Sequence, residues 1–339
     1  MAQIIDKNRL IVSTSPHFRG EETTQRIIWC VILALQPAAF MSVYFFGPKA
    51  VAILTISIVS SVALEYLYQK ALGKKVTISD GSAALTGLLL GLTLPPSVPM
   101  YIPVIGSFVS VILAKQLFGG FGYNIFNPAL IGRAFLQVCF PKIMTEWLEP
   151  TAAFIYIDAK TTATPLGVLK EEGLQRLLEM SGSYMNLYTN LLFGYRAGSL
   201  GETSVVALMI GAMFLMYKGY ITWHIPVSYL LTAGLLAWMF GGAGSLFTGN
   251  PVVHLMSGGI ILCAFFMATD YVTSPLDNRG RILFGVGCGC IAMLIRLKGG
   301  YPEGVMFSVL LMNCFTPLID RSFRPKVFGS VDKKGWGRP

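Results

Sequence analysis

The chain is poor in charge. Only 13% of its 339 residues are Asp, Glu, Lys or Arg, while 54% are hydrophobic. A soluble domain carries roughly 25% charged residues, so that class is excluded. Histidine is scarce, with three in all. His17 and His254 stand alone, with no second ligand at helical spacing, which argues against a histidine metal centre. None of the six cysteines (Cys30, Cys139, Cys263, Cys288, Cys290, Cys314) has zinc-type or ferredoxin-type spacing. Cys288 and Cys290 form a C-x-C in "FGVGCGCIAM", which reads as small helix-packing residues or as a metal or redox pair. The first 25 residues lack the apolar stretch of a cleavable signal and read as a cytoplasmic arm. The formal net charge is +9, but the basic residues bracket apolar runs. That is a membrane-orientation pattern, and it argues against a nucleic-acid partner.

What is present is oil. Apolar runs recur from Arg26 to Asp320, and mean hydropathy is +0.62. They predict an all-α polytopic membrane protein in contact with membrane lipid, with ten spans near 27–46, 50–68, 81–95, 100–116, 127–140, 203–217, 224–241, 250–268, 282–295 and 304–320. Several are shorter than the ~20 residues of a full crossing. Short or broken helices are tolerated where they line a protein-buried site. Lys and Arg favour one side, which predicts both termini in the cytoplasm of a multi-pass inner-membrane protein. The segments are then an N-terminal arm (1–26), a first transmembrane half (27–141), an external loop or cap (142–202), a second half (203–320) and a basic tail (321–339). Within the cap, "PLGVLKEEGLQRLLEM" places Leu169, Leu174, Leu177 and Leu178 near one helical face. "AKQLFGGFGYNIFNPALIGRAF" and "IRLKGGYPEGVMFSVLLMNCF" share a basic residue, Gly-Gly, an aromatic residue and a last apolar span. With an odd number of spans between them, they imply two inverted five-helix repeats, an arrangement that sites binding groups at the interface of the halves. The Gly-Gly pairs read as sharp turns.

One polar stretch stands out: "DAKTTATPLG", Asp158 to Gly167. Thr164 before Pro165 reads as a helix N-cap, because threonine accepts from the first turn and proline is pre-set for its first position. A helix start is also where an anion is stabilised. A phosphate on the Thr164 hydroxyl is therefore compatible with the cap, with Lys160 near enough in sequence to add a cation.

Asp158-x-x-Thr161-x-Ala163-Thr164 resembles the flavinylation signature in which the last threonine carries FMN through a phosphoester. The whole chain is similar to the D subunits of the Rnf complex and to the related B subunits of the sodium-pumping NADH:quinone reductase. The likeness runs through "LIVSTSPH" (Leu10 to His17), "DGSAALTGLLLGLTLPP" (Asp80 to Pro96), "FNPALIGRAF" (Phe126 to Phe135), "AGSLGETS" (Ala197 to Ser204) and "FFMATDYVTSP" (Phe265 to Pro275). Thr162 departs from the glycine frequent before Ala163, which leaves Thr161 and Thr162 as rival hydroxyls. The resemblance implies covalent FMN on Thr164, a further riboflavin, electron relay between ferredoxin and NAD⁺, and coupling to Na⁺ or H⁺ transport. It implies the other Rnf subunits (A, B, C, E and G) as partners, above all the FMN-bearing G subunit, and a flavin transferase for maturation. The quinone-reductase B subunit and an inverted-repeat solute channel are the rival readings.

Four other polar residues have two readings each. Glu65, a carboxylate inside a span, is a paired structural acid or an ion-handling group. Asp270 caps a loop or contacts a flavin or ion. Arg133, costly in lipid, faces the bundle and either pairs with a carboxylate or carbonyl or touches a cofactor. Glu202 completes a Ser199-x-x-Glu202 capping box or lines the FMN site.

Overall fold

The computed structural model describes residues 22–150, 161–242, 246–301 and 303–323. Asp158 and Lys160 lie outside them, as do most of the predicted arm and tail. Each of the ten predicted apolar runs is helical. The helices are α1 (Thr24–Phe46), α2 (Pro48–Ala71), α3 (Ser82–Thr93), α4 (Tyr101–Gln116), α5 (Pro128–Cys139), α6 (Pro141–Met144), α7 (Pro165–Glu171), α8 (Gly173–Ser181), α9 (Tyr184–Phe193), α10 (Val205–Tyr217), α11 (His224–Phe240), α12 (Pro251–Met256), α13 (Ile260–Leu262, continued to Met267 as a π-helix), α14 (Asn278–Lys298) and α15 (Val305–Ser322). Among the described residues there is no strand, only one bridge between Leu148 and Thr161.

Local sequence sets the starts. Thr23, Asn127, Ser183, Ser204, Asn250 and Asp277 each accept a hydrogen bond from the first turn of the helix that follows, which satisfies N–H groups that no helix can bond internally. Asn127-Pro128 and Asn250-Pro251 repeat one device, a capping amide followed by a proline whose missing N–H costs nothing there.

Three helices (α1, α2 and α14) are long and apolar enough to cross a membrane. They expose large apolar side chains such as Trp29, Leu33, Phe40, Val59, Leu67 and Leu294, the surface a lipid-facing helix presents. Among the shorter helices, α10 and α11 also expose large apolar side chains such as Ile210, Met213, Leu231 and Leu235, whereas α3 lies inside. α3 has 12 residues and so spans about 18 Å, against a hydrocarbon core of about 30 Å; most of its side chains are buried. Gly87 lets it lie against α2, because a Cβ there would sit 2.5 Å from the Ser57 carbonyl oxygen.

Two local expectations are corrected. The predicted span 250–268 is not one helix. It stops at Met256, turns through Ser257–Gly259 and restarts at Ile260. Gly258 has φ +69°, and a Cβ on it would lie 2.5 Å from Glu303 Oε1, so the break needs glycine. The predicted cap helix is likewise two helices, α7 and α8, divided at Glu172–Gly173. Val168 and Leu177 pack with Leu187, Leu191 and Val253 into a second small core, with Leu169, Leu174 and Leu178 at its edge. That core seats α7, α8 and α9 on α12.

Candidate functional site

The motif segment is pinned from three directions. The Thr162 N–H donates to the Trp147 carbonyl at 3.1 Å. Thr164 caps α7, accepting from the Gly167 N–H at 3.1 Å. Lys170, in the last turn of α7, donates to the Gly299 carbonyl and, at 3.2 Å, to that of Tyr301. The connector between α14 and α15 is thereby tied over the motif.

These ties enclose a cavity of about 280 Å³. Thr162, Ala163 and Thr164 form one wall; Trp147, Tyr301 and Phe307 contribute aromatic rings; Arg133, Gln137 and Glu303 are its most polar side chains. The volume falls just below the ~300–1,000 Å³ common for ligand pockets, which combine apolar walls with a few placed polar groups. Of the rival hydroxyls, Thr162 and Thr164 line the cavity and Thr161 does not.

Behind it lies a buried charge cluster. Arg133, Arg196, Glu202 and Arg296 are each less than a tenth exposed, and Glu303 is half-buried. Arg196 donates to the carbonyls of Met256 and Glu202. Arg296 donates to those of His254 at 2.6 Å and Ser257 at 3.2 Å. The two guanidinium groups thus satisfy three carbonyls that the stop of α12 leaves free inside the protein, and that of Glu202 in the turn before α10. Burial holds the Arg196 guanidinium down at about 10. The Glu303 carboxyl hydrogen-bonds that of Glu202, and burial, then the neighbouring Glu202, push it up to about 8. Arg133 Nη1 is buried with no hydrogen-bond partner, as is Arg296 Nε, but Arg296 is held by its two carbonyl bonds.

The predicted residues sort out as follows. Thr164, Ala163 and Arg133 meet at one cavity. Glu202 is not on its wall; it stands behind, against Glu303 and Gly259. Its capping box does not form, because Ser199 makes no cap bond and its hydroxyl has no partner. The carboxylate is engaged by Glu303 instead. Glu65 lies elsewhere, paired with Lys115 at 2.8 Å, both side chains at most 2% exposed. Gln116 and Gln69 donate to Glu65, and Lys115 also donates to Ser82. Asp270 accepts from Thr273 at 3.2 Å and, with Lys115 and Asn127, lines a second cavity of about 100 Å³ where α1, α3 and α5 begin. Burial pushes the Asp270 carboxyl up. Cys288 is buried and Cys290 exposed on α14. Sequence reading missed Glu303, Arg196 and Arg296. The one signal for them was Gly258–Gly259 inside an apolar run, a mark of a broken helix whose ends need buried polar partners.

A helical membrane protein with a broken helix packed on buried charges, beside a helix-capping threonine in an aromatic cavity, defines a class: a polytopic protein built around an interior site. The chain belongs to the NQR2, RnfD, RnfE family, whose profile it matches over residues 11–329. It is 50% identical over 326 residues, 96% of this chain and 98% of its relative, to the D subunit of the proton-translocating ferredoxin:NAD(+) oxidoreductase complex of Clostridium ljungdahlii. It is 46% identical, over 94% of this chain and 95% of the other, to the D subunit of the Na(+)-translocating ferredoxin:NAD(+) oxidoreductase complex of Acetobacterium woodii. It is 39% identical, over 91% and 92%, to the D subunit of the ion-translocating oxidoreductase complex of Stutzerimonas stutzeri.

Proposed function

We propose that this chain is the D-type membrane subunit of an Rnf complex, that it carries FMN esterified to Thr164, and that it relays electrons between ferredoxin and NAD⁺ with coupled Na⁺ or H⁺ transport. In this reading its ten helical runs form two inverted halves in the inner membrane, both termini are cytoplasmic, and the cavity faces outward toward the G subunit. The observation that carries the cofactor is the position of Thr164: the last residue of the signature stands in the wall of an aromatic-lined cavity. The residues fit the group. Trp147, Tyr301 and Phe307 offer ring faces to a planar aromatic system, and Arg133 offers a buried donor without a partner. Bound there, a flavin would supply the exchange between one- and two-electron carriers. The protein's share is to tether it, exclude water from one face and hold fixed charge nearby. A second flavin, riboflavin, is a weaker proposal with no residue assigned.

At the second cavity, Asp270 is the better candidate for ion contact than Glu65. Lys115 and two glutamines already occupy the Glu65 carboxylate, whereas Asp270 has a threonine partner and a cavity in front of it.

The test is in-gel flavin fluorescence of the denatured chain, co-expressed with a flavin transferase. Parent protein should glow and Thr164→Ala should be dark, with Thr161→Ala and Thr162→Ala still bright. A dark parent band would remove the flavin reading and favour the channel alternative.

A further inference from the structure

We propose that Arg133 is the cation that sets the reduction potential of the group tethered at Thr164. This rests on the flavin reading above and assigns a part in it to one side chain.

Arg133 stands mid-way along α5, one turn from Gln137 on the same cavity wall, about 6 Å along the axis. It is 6% exposed. Burying a guanidinium is expensive, and proteins offset that cost by pairing or by hydrogen bonds. The neighbouring arginines, Arg196 and Arg296, offset it with two backbone carbonyls each, Arg296 with its Nε alone left over. Arg133 does not, for its Nη1 is buried without a partner. Glu303 shares its cavity, but that carboxyl is engaged with the one on Glu202. A guanidinium that lines a cavity with a buried nitrogen unpaired is a charge the protein itself does not fully satisfy, and a group bound in that cavity would lie beside it.

The ligand's chemistry says what the cation does. An oxidised isoalloxazine is neutral. Two electrons from the complex's reduced iron–sulfur donor, with one proton taken up from water, leave one net negative charge, centred on the N1–C2=O edge. A fixed cation beside that edge favours the reduced form, and a protein tunes a flavin through charge placed near its ring nitrogens. In a site shielded from water the attraction is stronger than in bulk.

The measurement is a spectroelectrochemical titration of the full chain, co-expressed with the transferase and purified in detergent, with the Thr164→Ala spectrum subtracted to isolate the tethered flavin. Arg133→Gln should lower the reduced-to-oxidised ratio, at a potential where the parent is half reduced, by about tenfold or more. Arg133→Lys, which keeps the charge, should stay within about threefold of the parent. Gln137→Glu leaves Arg133 in place and adds an anion one turn away; it should lower the ratio in the same direction, which covers the case that Arg133→Gln fails to fold. In-gel fluorescence should be unchanged in all three. An unchanged ratio in Arg133→Gln or, should that variant not fold, in Gln137→Glu overturns the proposal while leaving the tether standing. Loss of attached flavin with an unchanged ratio in the remainder also overturns it, by assigning Arg133 to the phosphoryl end. A dark parent overturns both.

Discussion

Two buried cations, Lys115 and Arg133, line two different cavities and are treated differently. Lys115 is closed: it holds Glu65 at 2.8 Å and donates to Ser82, and Glu65 takes two glutamine amides as well. Arg133 is open, with Nη1 unbonded beside a cavity. The difference separates a charge that fastens helices from a charge held ready for something else. Closed charge at one cavity ties α2, α3 and α4 together. At the other, Arg196 and Arg296 perform the fastening by securing the broken end of α12, and Arg133 is left free of it.

That contrast can be broken by experiment. Lys115→Met leaves the Glu65 carboxylate buried and unpaired, and should destabilise the protein by roughly 3–5 kcal/mol. The double variant Glu65→Gln, Lys115→Met should recover most of that loss in a detergent melt; if it does not, the pair is more than a fastener. Gly258→Ala should cost at least about 1–3 kcal/mol from its left-handed backbone alone, with the clash against Glu303 added. A wild-type melting point would show that the break in α12 is soft. Asn127→Ala and Asn250→Ala should each cost about 1 kcal/mol as lost caps. Each amide also makes a second bond, Asn127 to the Met267 carbonyl at 3.2 Å and Asn250 to the Tyr188 hydroxyl at 2.9 Å, so both losses should exceed that of a cap alone; a loss well under about 1 kcal/mol at either would contradict a role for its cap. The last test is of pH. The Glu303 carboxyl is raised from 4.5 to about 8, so its protonated form is the one the fold favours. Its contribution to stability is full below 4.5 and is lost as pH rises through about 8. Melting curves of Glu303→Gln should therefore be flatter than the parent's across that window, and parallel profiles would remove Glu303 from the pH response.

Much of this was legible in the sequence, for reasons that differ by residue. The helical runs could be read because apolar length is a local property, and Thr164 before Pro165 because caps are local too. Arg133 could be flagged because an arginine in an apolar run has few places to go. Glu303 could not. "GGYPEGV" reads as an exposed connector, and only Lys170 reaching over to Tyr301 makes it the rim of a cavity. Glu202 misled for the complementary reason. Ser199-x-x-Glu202 is a sound capping pattern, but a partner about one hundred residues away outcompeted a backbone N–H three residues away. The break at Gly258 was visible as Gly-Gly, but its meaning depends on Arg196 and Arg296, which sequence alone places in loops.

The central claim is a covalent bond between one side-chain oxygen and a flavin phosphate, and peptide mass spectrometry tests it most directly. Digestion of the chain co-expressed with its transferase should yield the peptide containing Thr164 heavier by FMN less one water, with fragment ions locating the addition on that threonine. An unmodified peptide, or an addition on Thr161 or Thr162, would contradict the account.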